Sequence, residues 1–394
     1  MFNRNLIIIS FSQIFSFTSA PITVFLSGII ASAMVEQKSL VTLPAALMIV
    51  GTSLGSVFAS YTMSILGRKF GFIIGAIITT LFSLGASYSI YCNFFLFYCL
   101  SNLFIGVGLA FTSQYRFAAA ESVSKNYIPK AISIILFASI IGALIGPNIA
   151  TITKNFIPNS LYSGSYIFLS FLTIIPVFLF LFYKNEKKPP IIKINSKNKS
   201  SYLQLLSKPK FIQAVVVSGL AYSAMSFLMT ATPISMHINN HISLGKTGFV
   251  IMLHIIAMFI PSIITGNLIT KFGHNKIMYA GVIILFFSIF FNFINQNFYN
   301  YLIGLILLGL GWNFLFISST SLLILSYTPD EKFRAQGLND FIVFSAQAIG
   351  ALSAGFLLNI FGWKIINIFC IPLLIIIILT IFITNREKKS PINI

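Results

Sequence analysis

Ser60-Tyr61-Thr62-Met63-Ser64-Ile65-Leu66-Gly67-Arg68-Lys69 is the stretch whose reading decides the fold. It has a counterpart 206 positions later, Gly266-Asn267-Leu268-Ile269-Thr270-Lys271-Phe272-Gly273-His274-Asn275. Each leaves the end of an apolar run and spaces small or hydroxyl residues four apart. Each then reaches a glycine followed by polar side chains. The same shift lays Ser56 over Ser262 and Gly75 over Gly281. Further on, Gly106-Val107-Gly108 is echoed by Gly309-Leu310-Gly311. Internal repeats between apolar segments are a signature of transporter folds, whose solute site lies between the repeats near the bilayer midplane.

Outward from that stretch the chain is apolar throughout. Of 394 residues, 57% are hydrophobic and 8% are charged. A soluble domain of this length needs far more charge to cover its surface, whereas lipid solvates apolar side chains directly. The runs reach about 20 residues or more, enough to cross a bilayer as helix, and they lack the alternating polarity of barrel strands. Twelve are expected, at 6–33, 40–66, 72–92, 94–121, 131–152, 163–183, 211–237, 248–270, 277–295, 299–327, 338–360 and 365–384. The expected class is therefore all-α integral membrane, with twelve transmembrane helices in two pseudo-symmetric six-helix bundles. The bundles would occupy 1–183 and 211–394, joined by a basic linker, 184–210, with eight Lys, one Glu and three Pro.

The net charge of +18 follows topology and does not describe a nucleic-acid surface. With the N-terminus inside, the cytoplasmic segments carry 20 Lys and Arg and the outer loops carry four: Lys38, Lys154, Lys246 and Lys364. That asymmetry places both termini in the cytoplasm of a cell with this protein in its inner membrane. No basic face with interleaved aromatics supports nucleic-acid binding. Cys92, Cys99 and Cys370 have neither CxxC spacing nor even number, which argues against a disulfide framework or zinc site. The first run is too long for a signal-peptide core and reads as a helix of the mature protein.

At Gly67-Arg68-Lys69 the chain resembles the major facilitator superfamily, whose loop motif after the second helix reads G-x-L-a-D-R-x-G-R-K. Ser60 and Ser64 replace its first Gly and its Asp. The second copy keeps Gly266, Leu268, Lys271 and Gly273, with Thr270 at the Asp position. Gly142-Ala143-Leu144-Ile145-Gly146-Pro147 is similar to the family's G-x-x-x-G-P motif, while Asn102 stands where an arginine is often found. Three further stretches, Gln114–Glu121, Met229–Pro233 and Ala335–Phe341, look like a proteobacterial branch associated with riboflavin uptake. The resemblance implies a secondary transporter acting on a small organic solute by alternating access, as a monomer in the lipid bilayer.

The resemblance implies that Gly67, Arg68 and Lys69 latch the two halves; the competing reading is a basic turn that sets topology. It also implies that Glu121, on the same side, pairs with Arg68. Asp340 is a second gating candidate, against simple capping of a helix that begins near 338. Gly142, Gly146 and Pro147 belong to the conformational set, since small residues let helices approach closely. Pro21, Pro147, Pro176, Pro233 and Pro261 can free backbone carbonyls for kinks.

Arg116 reads as a charge within a helix, costly unless it faces a partner, a cavity or the interface. The resemblance points to the first, fourth, seventh and tenth helices as cavity-lining, which makes Gln13, Tyr115, Arg116, Met225, Met229, Thr230, Trp312 and Asn313 the solute-binding candidates. That polar, aromatic and Met-rich set suits a neutral or weakly anionic planar solute; ordinary helix packing competes for each member. His254 is the one histidine within an apolar run and titrates near neutrality in water, so it is the candidate proton carrier, against a hydrogen-bonded imidazole in a helix interface.

Enzymatic chemistry finds no support, for no metal-spaced cluster or P-loop is present, and no cofactor is expected. Two alternatives stay open: a drug or metabolite efflux antiporter, and a non-transporting membrane receptor that keeps the fold.

Overall fold

The computed structural model describes residues 3–37, 40, 43–185 and 202–386. These form helices and no strand, and ten helical runs among them are long and apolar enough to cross a membrane. The first is two helices, α1 (Arg4–Phe17) and α2 (Ser19–Met34), meeting at Thr18. Then come α3 (Leu43–Tyr91), α4 (Phe95–Ser113), α5 (Tyr115–Glu121), α6 (Ile128–Ile152) and α7 (Ser163–Leu181). Beyond the linker, a short α8 (Tyr202–Leu206) precedes α9 (Pro209–Pro233), which has proline at its first turn, where no N–H is required. The remainder is α10 (Leu244–Phe259), α11 (Ser262–Phe272), α12 (His274–Ile294), α13 (Phe298–Ile324), α14 (Lys332–Ile368) and α15 (Cys370–Arg386). Most of the lysine linker, residues 186–201, lies outside the described residues.

Two runs are far longer than one crossing needs. Leu43–Tyr91 has 49 residues and Lys332–Asn385 has 54, where about 20 span the hydrocarbon. One glycine interrupts each: Gly67 (φ 81°, ψ 171°) and Gly362 (φ 73°, ψ 169°). Gly273, between α11 and α12, has nearly the same backbone, φ 85° and ψ 160°. Only glycine enters this region without steric cost. The polar loops expected at 67–71 and 361–364 are thus single-residue breaks, and helix resumes at once. The helix expected from 338 begins instead at Lys332, because its first turns are polar and hydropathy does not register them. Asp340 consequently sits in the third turn, and the capping reading fails.

The chain divides into two compact units. Among the described residues, unit 1 holds those within 1–125, 138–200 and 330–344, and unit 2 those within 126–137, 201–329 and 345–394. Each therefore takes a short segment from the other end of the sequence.

Within the units, glycine contacts reproduce the sequence repeat. A Cβ on Gly106 of α4 would meet the Met48 carbonyl of α3; one on Gly309 of α13 would meet the His254 carbonyl of α10 at 2.7 Å. Met48 and His254 are 206 apart. Likewise a Cβ on Gly108 would lie 3.0 Å from the Gly75 carbonyl, and one on Gly311 3.0 Å from the Gly281 carbonyl. Backbone touches backbone at matched positions, as small-residue membrane interfaces require. The repeat departs at Pro261, which has no N–H to continue the helix and stands where unit 1 has Gly55. The side chain of Asn313 fills that break. Its amide donates to the Met258 carbonyl and to the Ser262 hydroxyl, and its oxygen accepts from Thr265, each at 2.7 Å.

Candidate functional site

Three local features of unit 1 bring charge together. Gly67 breaks α3 and makes Arg68 the first residue of the next helical arm. α4 ends at Ser113 and α5 begins at Tyr115, so Gln114 stands at their junction, its N–H bonded to the Phe111 carbonyl. The early start of α14 brings Lys332, Gln336, Asn339 and Asp340 into the same unit.

Arg68 and Glu121 form a two-pronged ion pair, Nη2 to Oε1 at 2.6 Å and Nε to Oε2 at 3.3 Å. Lys332 Nζ donates to Glu121 Oε2 at 3.2 Å. Gln336 serves both partners: its amide donates to Glu121 Oε1 at 3.0 Å, and its oxygen accepts from Arg68. The Arg68 guanidinium also lies over the Phe333 ring, 4.9 Å from its centroid. Close by, the Ser60 hydroxyl donates to the Phe333 carbonyl, and Gly337 packs on Ser60 with space for nothing larger. Ser60, which departs from the family motif, is thus used in docking α14.

A second pair lies deeper in the same unit. Arg116 pairs with Asp340, whose side chain is wholly buried. Asp340 Oδ1 also accepts from Asn339 Nδ2, and Oδ2 accepts from Ser113 Oγ and Gln114 Nε2, each at 2.9 Å. A carboxylate removed from water needs such a set of donors to offset its desolvation. Gln114 joins the two pairs, because its Oε1 accepts from Arg68 Nη1 at 3.1 Å.

The other candidates are dispersed. Lys69 bonds away from the cluster: its N–H reaches Asn185 Oδ1 at 2.9 Å, and its ammonium donates to the Leu181 carbonyl at 2.6 Å. Gly142 and Gly146 pack α6 on the carbonyls of Ile14 and Thr18, across the α1–α2 break. Pro147 follows on that helix, and its side chain lies outside the described set. Tyr115 turns away from Arg116. Its hydroxyl is 3.1 Å from Ser16 Oγ, and its ring lies 4.7 Å from Phe72. Gln13 donates to Ser139 Oγ at 2.8 Å.

In unit 2, Trp312 stacks on Phe316 at 4.8 Å and meets Tyr222 edge-on at 5.1 Å. Met225 is buried, Met229 half-buried and Thr230 exposed. Asn313 spends both polar atoms on the break at Pro261. His254 is fully buried between α10 and α13, with Nδ1 2.7 Å from the Leu305 carbonyl. The structure thus gathers Arg68, Glu121, Arg116 and Asp340, and leaves Lys69, His254 and the remaining lining candidates elsewhere.

Sequence reasoning missed Gln114, Lys332, Gln336 and Asn339. The signal was present, for Gln114–Glu121 and Ala335–Phe341 had each drawn attention as motifs. They are the two sides of one contact.

Comparison with known proteins places the chain in context. The family model described as Major Facilitator Superfamily matches residues 6–239 and 214–394. The riboflavin transporter RfnT of Brucella anthropi is 32% identical over 98% of this chain and 97% of its own length. Among solved structures, the human organic anion transporter MFSD10 superposes with a TM-score of 0.76, at 14% identity, over 96% of this chain and 99% of that one. The transporter FucP, crystallised in the outward conformation, superposes with a TM-score of 0.69 at 15% identity, over 97% and 98% of the two chains.

Proposed function

This chain belongs to the Major Facilitator Superfamily, and on that premise we propose a twelve-crossing carrier that takes up riboflavin or a similarly planar metabolite by alternating access. It is a multi-pass membrane transporter of a small solute. The count of twelve rests on the two over-long runs, each turned by one glycine into a pair of crossings. Paired with the 20-to-4 distribution of basic residues, that count supports cytoplasmic termini and an Arg68–Glu121 cluster on the inner side. The linear halves 1–183 and 211–394 are the two bundles of this reading, and residues 330–344 are the part of the second half that docks on the first.

The observation that carries the solute assignment is the full-length identity to a riboflavin transporter. In mechanism, the docked segment closes the cytoplasmic side. Release of residues 330–344 breaks both ion pairs and opens that side. Met225, Met229 and Trp312 are the proposed lining, and His254 is the proposed proton carrier should uptake be proton-driven.

Expression in a riboflavin auxotroph tests this. Growth at low riboflavin and saturable uptake of labelled riboflavin are expected. Labelled solute leaving preloaded cells would favour the efflux alternative, and a folded, membrane-inserted protein that moves none of a vitamin and amino-acid panel would favour the receptor. Topology has its own check. A reporter fused after Lys199, a position outside the described residues, should read cytoplasmic, and one beside Lys246 should read periplasmic. A cytoplasmic signal at both positions would break the twelve-crossing count.

A further inference from the structure

We infer that the Gln114 side chain couples the two ion pairs, so that Arg68–Glu121 and Arg116–Asp340 form and break as one unit; this makes Gln114 a positioning residue for the transport step. The inference rests on the reading that residues 330–344 leave unit 1 during the cycle.

The amide touches a charged member of each pair. Its oxygen accepts from Arg68 Nη1 at 3.1 Å and its nitrogen donates to Asp340 Oδ2 at 2.9 Å. A carboxamide has one accepting end and one donating end. Turning it over would point N–H groups at a guanidinium and an oxygen at a carboxylate, so both contacts would become repulsive together. Gln114 is wholly buried. Its backbone is held as well: the N–H bonds to the Phe111 carbonyl and the carbonyl accepts from Phe117 and Ala118. The side chain therefore cannot follow Asp340 outward.

When Asp340 departs, Gln114 loses its acceptor and Arg116 its counter-charge in one step. The amide is then free to rotate, and Arg68 loses the oxygen that helped to orient it toward Glu121. Read the other way, an intact Arg68–Glu121 pair keeps the amide nitrogen aimed at the place where Asp340 docks. The residues flanking Gln114 fit this role. Ser113 and Arg116 both address Asp340, so the α4–α5 junction is a single receptor for the incoming carboxylate, and Gln114 relays its arrival to the outer pair.

The test uses the full-length transporter without solute, so a wrong solute assignment leaves it intact. Cys92, Cys99 and Cys370 are first replaced by Ser, and Ser60→Cys is introduced as a reporter beneath Gly337. Labelling by a membrane-impermeant maleimide from the cytoplasmic side then reads the opening of the docked segment. With Gln114 present, Glu121→Gln and Asp340→Asn should each raise the labelling rate at least fivefold. Their combination should raise it little beyond the larger single effect, since either change opens the whole unit. With Gln114→Leu, the two effects should multiply. Multiplication in both backgrounds would overturn the inference.

Gln114→Glu supplies an independent arm. It keeps size and the contact to Arg68 but repels Asp340, so labelling should rise several-fold. Adding Asp340→Asn returns a donor to that contact and should bring labelling back to within twofold of the Gln114 parent. If Asp340→Asn fails to reverse Gln114→Glu, the amide does not mediate the coupling. A purely structural role for Gln114 would lower the amount of folded protein without producing this reversal.

Discussion

Replacing Asp340 by Leu is expected to cost the folded protein about 3–5 kcal/mol, the usual penalty for stripping one partner from a buried ion pair. Arg116 would remain inside α5 at 5% exposure with its carboxylate gone. Ser113 and Gln114 would lose an acceptor too, at about 1 kcal/mol or more for each buried donor left without one. The cost falls on the arrangement in which residues 330–344 are docked. A loss of about 3 kcal/mol there displaces the docked equilibrium about a hundredfold. Net transport should drop by a similar factor, because a carrier that cannot close one side cannot complete its cycle. The companion change decides the cause. Arg116→Met together with Asp340→Leu removes both charges and leaves apolar groups of comparable size, an exchange that is often neutral or stabilising. Thermal unfolding in detergent, followed by tryptophan fluorescence, should show the single variant melting well below wild type and the double variant recovering most of the difference. A double variant less stable than the single would mean that Asp340 acts through something other than Arg116.

The second large effect is expected at Gly106. Glycine in a helix ordinarily costs about 1 kcal/mol relative to alanine, so on propensity alone substitution should help. Here the new Cβ would overlap the Met48 carbonyl of α3, and neither helix backbone can yield without parting along its length. Gly106→Val should therefore cost on the order of 3 kcal/mol or more, at or beyond the usual overpacking range. Little monodisperse protein should survive size-exclusion chromatography. Gly245→Ala is the matched control, since a Cβ there meets nothing within 4 Å. It should elute and melt as wild type does. Equal behaviour of the two variants would mean that α3 and α4 do not need their close approach.

Much of this was legible in the sequence, for reasons that differ by residue. Gly67 and Gly273 could be paired because a positive φ admits glycine almost alone, so the residue type records the backbone. Gly106-x-Gly108 and Gly309-x-Gly311 carried the same kind of message about close approach. Arg68 and Glu121 could be matched through the family pattern. Asp340 could not be placed, because hydropathy locates only the apolar part of a helix. The polar turns from Lys332 to Gly337 read as loop, so a residue of the third turn reads as one near a helix start. Its partner Arg116 lies 224 positions earlier, and nothing in a single sequence announces a pairing at that separation. The role of Asn313 was hidden in the same way: the break at Pro261 was foreseeable, but not which side chain would fill it.

The arrangement of α4 has a mechanical consequence. Residues 43–66 and 68–91 of α3 are rods of equal length, each about 36 Å long at 1.5 Å per residue, and they pivot on one residue. Left alone they would scissor, and a tilt of ten degrees would swing a far end through about 6 Å. They are not left alone. Gly106 seats α4 on the first rod at Met48, and Gly108 seats it on the second at Gly75. α4 is a splint bound to both limbs of the hinge, and it freezes that joint. Any displacement of α3 then carries α4 with it, and the two act as one beam.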